Sequence, residues 1–364
     1  MDVNRYIFAG GGTGGHLYPA VAIAQRLAEL RTCSIRFIGT ARGIECRVLP
    51  ELGFPLSLIA VRGAVRALAL KNLLLPFTLL WSLLQCFILL LKYQPNAVIG
   101  TGGYVSGPAV FVAWLLRIPT LIQEQNSFPG VTTRLLARRV RRVHISFAES
   151  RRYFRKGTNL FLSGNPVRRF DLSGNKSAAR ARFGLNADAP VCLVFGGSQG
   201  ARAINDALLD CLDEVMRASA LQIIWSTGPH DVDRVRERSS GHADRLHVAV
   251  FISDMAAAYA AADFCLTRAG ALTLAEVTLV GLPSIIVPYP HAAANHQEIN
   301  ARALAERGAC VLVLQADLRQ RLSAELLALT TDDERREALA RAARASSFPN
   351  ATDDIVRSIF EIER

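Results

Sequence analysis

Short apolar runs recur along the chain, and most are followed by a stretch long enough for a helix. Tyr6–Ala9, Ser34–Ile38, Ala97–Ile99, Thr120–Ile122, Val191–Phe195, Gln222–Trp225, His247–Val250, Phe264–Leu266 and Ser284–Val287 predict strands. Strand and helix alternating in this way predict parallel sheets covered on both faces, the α/β class. The pattern also occurs twice. Tyr6–Ala9 runs into Gly11-Gly12-Thr13-Gly14-Gly15 and a helix opened by Pro19. Val191–Phe195 runs into Gly196-Gly197-Ser198-Gln199-Gly200 and a helix beginning near Arg202. Each unit is an apolar strand, a glycine loop with one hydroxyl, and a helix start. Two doubly wound, Rossmann-like domains are expected, 1–163 and 164–345, joined at the turn residues Ser163-Gly164-Asn165-Pro166. A ligand belongs in a cleft at the carboxyl ends of their strands.

One segment breaks the alternation. Leu73–Leu91 carries no charge and lies between Lys71 and Lys92, a length that meets the requirement for a membrane span. Thr78, Ser82 and Gln85 fall on one stripe that Lys71 and Lys92 extend, which predicts a helix with one narrow wet face. The strand Ala97–Ile99 follows almost at once, and a bilayer crossing would cut it off from its sheet. A helix half in the core and half in the lipid interface is expected, with Arg62, Arg66, Lys71 and Lys92 facing an anionic membrane surface.

Composition narrows the partners. A 364-residue chain that is 51% hydrophobic is long and apolar enough for two cores, which excludes a disordered chain. Its net charge of +11 calls for an anionic partner: nucleic acid, a nucleotide or phosphate, or acidic lipid. Seven scattered cysteines predict reduced, buried thiols on the cytoplasmic side, and Tyr6–Ala9 is too short for a secretory signal. His291 and His296 beside Pro290 make a poor metal motif, so no metal and no cofactor is expected. The basic run Arg134–Lys156 has few aromatics to interleave, Phe147, Tyr153 and Phe154. It reads as a solvated or lipid-facing surface, and no nucleic acid is expected.

Backbone N–H groups of a glycine loop, backed by a helix N-terminus, suit a phosphate. Gly10, Gly12 and Gly15 fit GxGxxG, yet Gly39-Thr40-Ala41-Arg42 offers no carboxylate for a dinucleotide ribose, which argues against a dehydrogenase or a dinucleotide-binding module. His16, at the mouth of the loop, is a candidate general base, or else a residue packed on the helix start. Asn126 suits a sugar hydroxyl or a turn cap, and Gly102–Pro108 a pyrophosphate or a tight turn. In Arg268–Glu276, Thr273 and Glu276 have capping-box spacing. The functional alternative puts that helix start on a diphosphate and Glu276 on two ribose hydroxyls. Gln297 is a candidate sugar ligand or a surface residue.

The ordered motifs Gly11–His16, Gly102–Pro108, Glu124-Gln125-Asn126, Gly164–Arg168, Gly196–Ala201 and Ala269–Glu276 span nearly the whole chain. Together they resemble the MurG family of bacterial N-acetylglucosaminyltransferases. The resemblance implies a GT-B fold whose last helix, about 346–364, returns to the first domain. It also implies inverting transfer of N-acetylglucosamine (GlcNAc) from UDP-GlcNAc to lipid I, giving the lipid II of peptidoglycan and cell-wall synthesis, without a metal. Carried onto this chain, it assigns Thr13, Gly14, Gly15 and Asn126 to the donor from the first domain. Arg168, Ser198, Ile252, Ala271, Leu272, Thr273, Leu274, Ala275, Glu276 and Gln297 complete that site, with Glu276 on the ribose and Ile252 near the uracil. His16 matches the general base. A peripheral position on the cytoplasmic face of the inner membrane, near cell-wall synthesis and division proteins, is implied too. Gln123 departs from the pattern, standing where many relatives have His. Another GT-B enzyme on a UDP-sugar, a lipid glycosyltransferase or a UDP-GlcNAc epimerase, is the alternative.

Overall fold

The structure is a computed structural model that describes residues 3–61, 75–168, 170 and 174–363. The chain divides into two compact units, Met1–Arg168 with Phe348–Arg364, and Arg169–Ser347. Ser163–Pro166, expected at the join, lie within the first.

The first unit runs β1 (Asn4–Gly10), α1 (Gly14–Leu30), β2 (Cys33–Gly39), α2 (Glu45–Glu51), β3 (Leu56–Leu58), α3 (Leu75–Tyr93), β4 (Ala97–Gly102), α4 (Gly103–Leu115), β5 (Thr120–Glu124), α5 (Val131–Leu136), β6 (Arg142–Ile145) and β7 (Leu160–Leu162). The second runs α6 (Lys176–Ala181), β8 (Val191–Phe195), α7 (Arg202–Ala218), β9 (Gln222–Ser226), α8 (Val232–Arg238), β10 (Leu246–Ala249), α9 (Met255–Ala261), β11 (Phe264–Thr267), α10 (Ala271–Val280), β12 (Ser284–Ile286), α11 (His296–Ala305), β13 (Val311–Leu312), α12 (Leu318–Thr331) and α13 (Asp333–Ala345). The last helix, α14 (Ala351–Ile362), belongs to the first unit.

Both sheets are parallel, in the orders β3-β2-β1-β4-β5-β6-β7 and β10-β9-β8-β11-β12-β13. Their central strands are largely apolar because both faces are covered. Tyr6 and Phe8 enter the core under α1 and α14, while Ile7 and Ala9 enter the one under α3 and α4. In the second unit Cys192 and Val194 face one core and Leu193 and Phe195 the other. Every expected strand forms. Helix α1 opens at Gly14 rather than Pro19, which sits inside it.

The basic run Arg134–Lys156 is more than a solvated face. It contains β6, whose His144 is buried and stacks on Phe161. Arg141 donates to the carbonyl of Ile362, and Arg142 pairs with Glu361, donates to Ser358 Oγ and lies over the Phe161 ring. These cations dock α14, whose Ile355, Val356, Ile359 and Ile362 fill the core beside α1. Arg31 completes the attachment, 2.9 Å from Glu363 and over the ring of Phe360.

Helix α3 reverses the expected polarity. Its polar stripe faces the protein: Ser82 is fully buried, Gln85 Oε1 accepts the Ala60 N–H at 2.7 Å, and Thr78 donates to the carbonyl of Leu75. Its apolar residues face out, with Phe77 71% and Leu80 67% exposed, and only Ser82, Cys86 and Leu90 are buried. Phe77, Leu80, Trp81, Leu84, Phe111 and Leu115 line a groove of about 560 Å³ between α3 and α4. Lys92 is exposed at its end; Arg62, Arg66, Lys71 and the expected helix start at Leu73 lie outside the described residues.

All seven cysteines are unbridged, and burial pushes the Cys86, Cys211 and Cys310 thiols up to about 12.

Burial, aided by the nearby Arg142 charge, holds the His144 imidazole down to about 4. The unfolded chain therefore binds a proton at His144 between about pH 6.5 and 4 that the folded one refuses, so acid weakens the fold across that window. Thermal unfolding of His144→Gln followed from pH 7 to 4 is expected to lose stability less steeply than the parent chain; parallel slopes would contradict this.

Candidate functional site

A doubly wound sheet opens a crevice where its strand order reverses, because the connections after the two central strands leave toward opposite sides. The reversals fall between β1 and β4 in the first unit and between β8 and β11 in the second. The loops of Gly10–Thr13 and Gly102–Gly103 end the first pair. Those of Gly196–Gly200 and Arg268–Gly270 end the second.

In the first unit Thr13 precedes α1 without a side-chain cap, and Thr13 and Gly15 are exposed. The loop is not an open phosphate cradle, however. Glu45, at the start of α2, is fully buried beneath it and accepts the Gly12 N–H at 2.9 Å. The Thr40 N–H and hydroxyl donate to its other oxygen at 2.8 and 3.1 Å. A carboxylate is thus present after β2, six residues past the strand end, but it serves the loop from inside rather than a ligand from outside. A bound anion here would meet a carboxylate and lose one of the loop's donors.

His16 lies in the first turn of α1, half-buried, and caps nothing. Its Nδ1 is 2.9 Å from Gln125 Oε1 and 3.2 Å from the Thr101 carbonyl, while Thr101 Oγ1 donates to the His16 carbonyl at 2.8 Å. The ring fits because residue 102 is glycine: its φ is +98°, and a Cβ there would sit 2.7 Å from His16 Nδ1. Gly102–Pro108 is therefore the tight start of α4, packed on the imidazole. Asn126 follows β5, half-buried, directly after Gln125. The turn behind it is tied by Glu124, which accepts the N–H groups of Asn126 and Gly130 at 3.1 and 3.0 Å, so Asn126 is not the turn's anchor. Arg168, exposed, ends the first segment of the unit.

In the second unit the Gly196–Gly200 loop closes on itself, with the Gly200 N–H donating to Gly197 O at 2.9 Å and Ser198 exposed at its tip. Beside it, α10 begins at Ala271 with Gly270 at its N-cap and no side-chain cap. Thr273 and Glu276 do not form the capping box their spacing allows, because the helix starts at 271 and leaves Glu276 beyond its first turn. Instead the Tyr259 hydroxyl donates to Glu276 Oε2 at 2.8 Å, and Tyr259 is set by edge contacts with Phe170 and Phe195. Leu272, Thr273, Ala275 and Glu276 are partly exposed, whereas Ala271 and Leu274 are buried.

Ile252, after β10, is buried in the core with Phe195 and Tyr259. Gln297, on α11, accepts the Tyr289 N–H at 3.0 Å and so ties the loop after β12. The same loop is held by Arg268, which donates to the carbonyls of Val287 and Pro288 and whose guanidinium burial pulls down to about 10. No group of three or more His, Cys, Asp or Glu side chains suited to a metal occurs among the described residues.

Sequence reasoning named His16, Ser198 and Glu276 as candidates and gave no role to Glu45, Gln125 or Tyr259, which the structure places in hydrogen bonds to Gly12, His16 and Glu276. Each of these lies behind a proposed ligand group, and its only signal is proximity to a motif.

The chain matches the glycosyltransferase family 28 N-terminal domain over residues 6–145 and the family 28 C-terminal domain over 191–355. It is 45% identical over 99% of its length, and all of the relative's, to a UDP-N-acetylglucosamine--N-acetylmuramyl-(pentapeptide) pyrophosphoryl-undecaprenol N-acetylglucosamine transferase of Chlorobaculum parvum. A solved structure of Acinetobacter baumannii MurG superposes with a TM-score of 0.78 at 30% identity, covering 98% of this chain and 99% of that one. A UDP-N-acetylglucosamine 2-epimerase superposes at 0.67 with 14% identity over 99% and 96%, a likeness of fold alone.

Glu45→Ala strands the N–H groups of half-buried Gly12 and buried Thr40. It is expected to cost the first unit about 2–4 kcal/mol, read as an earlier urea unfolding midpoint. An unchanged midpoint would mean that the loop does not depend on this carboxylate.

Proposed function

This chain belongs to glycosyltransferase family 28 and has that family's GT-B pair of Rossmann-like domains, and from that premise we propose the assignment of its residues to the transferase reaction. The chain transfers N-acetylglucosamine from UDP-N-acetylglucosamine to the lipid-linked N-acetylmuramyl-pentapeptide acceptor, lipid I, giving lipid II. The observation that carries this is 45% identity, end to end, with a transferase named for that reaction.

On this reading the second unit binds most of the donor. The glycine-led start of α10 and the Gly196–Gly200 loop flank one crevice, where helix and loop N–H groups stabilise a departing diphosphate. Glu276 takes the ribose hydroxyls, with Tyr259 keeping its carboxylate in place. Ser198, Ala271–Glu276 and Arg168 serve the diphosphate and nucleoside, Ile252 the uracil, and Gln297 the sugar. Thr13, Gly14, Gly15 and Asn126 meet the donor from the first unit. The carboxylate of Glu45 beneath the first loop supports this division of labour, since it makes that loop the poorer diphosphate site.

His16 is the general base. The acceptor hydroxyl oxygen bonds to the anomeric carbon as the bond to the UDP oxygen breaks, inverting that centre. UDP leaves with the bonding electrons, and the hydroxyl proton passes to the imidazole.

The protein also sits on the membrane through α3. An outward apolar face of Phe77, Leu80, Trp81 and Leu84, with the polar stripe turned inward, suits the acyl boundary of an anionic bilayer where the lipid acceptor resides. At 19 residues the helix is long and apolar enough to cross, but its inward polar stripe is hydrogen-bonded within the first unit, which favours lying in the interface.

Incubation of the full chain with radiolabelled UDP-N-acetylglucosamine and lipid I is expected to label the lipid; sugar nucleotide consumed without acceptor would identify an epimerase instead. Glu276→Ala should raise the donor Kd about tenfold or more by calorimetry, as two ribose hydrogen bonds are lost. Wild-type donor affinity would remove Glu276 from the ribose. Leu80→Lys with Leu84→Lys should abolish co-sedimentation with anionic vesicles, and retained binding would move the contact elsewhere.

A further inference from the structure

Behind His16 stands a file of buried, uncharged polar side chains. The two groups facing its Nδ1 are both oxygens, the Thr101 carbonyl at 3.2 Å and Gln125 Oε1 at 2.9 Å. A carbonyl can only accept, so the geometry requires a proton on Nδ1, provided Gln125 really turns its oxygen this way.

The remainder of the file settles that orientation. Gln125 Nε2 turns its two N–H groups toward three acceptors, the Thr101 carbonyl at 2.7 Å, the Gln123 carbonyl at 3.2 Å and Gln123 Oε1. Turning the amide over would set its oxygen against three acceptors. Gln123 is pinned in turn, its Nε2 donating to Asn165 Oδ1 and Ser146 Oγ, both at 3.1 Å. Asn165 closes the circuit, with Nδ2 donating to the Gln125 carbonyl at 3.0 Å. Gln123, Gln125, Ser146 and Asn165 are all buried, so water does not compete for these bonds.

We propose that Gln125, held by Gln123 and Asn165, is a positioning residue that locks His16 in the Nδ1–H tautomer and thereby presents Nε2, with its lone pair, to the acceptor hydroxyl. This rests on the reading of His16 as general base. Without the lock, the Nε2–H tautomer competes, and in that form the outward nitrogen has a proton and cannot accept another. The file supplies no charge, and it governs which nitrogen is the base.

The test reads the tautomer first and the rate second. The full chain labelled with ¹⁵N-histidine at about pH 8, above the ordinary imidazole titration, gives long-range proton–nitrogen correlations. The His16 signals are those lost in His16→Gln. Expected is a protonated, pyrrole-type Nδ1 and a bare, pyridine-type Nε2; the reverse pattern overturns the proposal without any variant having to fold. Gln125→Met, close in shape and without the acceptor, should show a mixed tautomer. Its kcat should fall about tenfold while the donor KM stays within about twofold. A wild-type spectrum and wild-type kcat in that variant also overturn it. Should His16→Gln turn over at the parental rate, the general-base reading fails, and the nitrogen spectrum still decides whether Gln125 sets the tautomer.

Discussion

The structure depends on a constraint of parallel sheets: where strand order reverses, neighbouring connections part and leave a gap at the carboxyl edge. The chain makes that gap twice, at β1/β4 and at β8/β11, and treats the two copies in opposite ways. In the first unit Glu45 occupies the underside of the glycine loop and a packed imidazole fills the space above glycine 102. In the second, a glycine, Gly270, leads into the helix start at Ala271. The same scaffold is thus filled in two ways, by a carboxylate and an imidazole in one unit and by a glycine-led helix start in the other. The chemistry follows from what fills each gap rather than from the fold itself.

The sequence was legible where burial is symmetrical. Central strands covered on both faces read as unbroken apolar runs, and all nine expected ones form. β3, β7 and β13 escaped because they are two or three residues long and near sheet edges. β6 was hidden because Arg142 and His144 interrupt its apolar pattern, and each is explained only by residues distant in sequence, Glu361 and Ser163. Periodicity located the stripe on α3 but carries no sign. It tells that two faces differ, and the direction each faces depends on the surrounding medium. The amide file behind His16 left no trace in the pattern, since uncharged side chains at adjacent positions have no spacing rule.

On α3, apolar contact outweighs charge. Phe77, Leu79, Leu80, Trp81, Leu84, Phe87, Ile88 and Leu91 are all exposed. Each is worth about 1.5–3 kcal/mol when fully withdrawn from water, against roughly 1 kcal/mol for a lysine near an anionic surface. Under the membrane placement proposed above, even partial insertion of that row exceeds what Lys92 contributes.

The return of α14 has a consequence for how the molecule is made. The core beneath α1 is completed by Ile355, Val356, Ile359 and Ile362, residues synthesised after the whole of the second unit. Until they leave the ribosome, the first half waits with an uncovered apolar face, while the continuous second half can already have reached its native state. Biogenesis therefore runs against chain order, and the interval in which the early domain is vulnerable to aggregation lasts as long as translation of the later one.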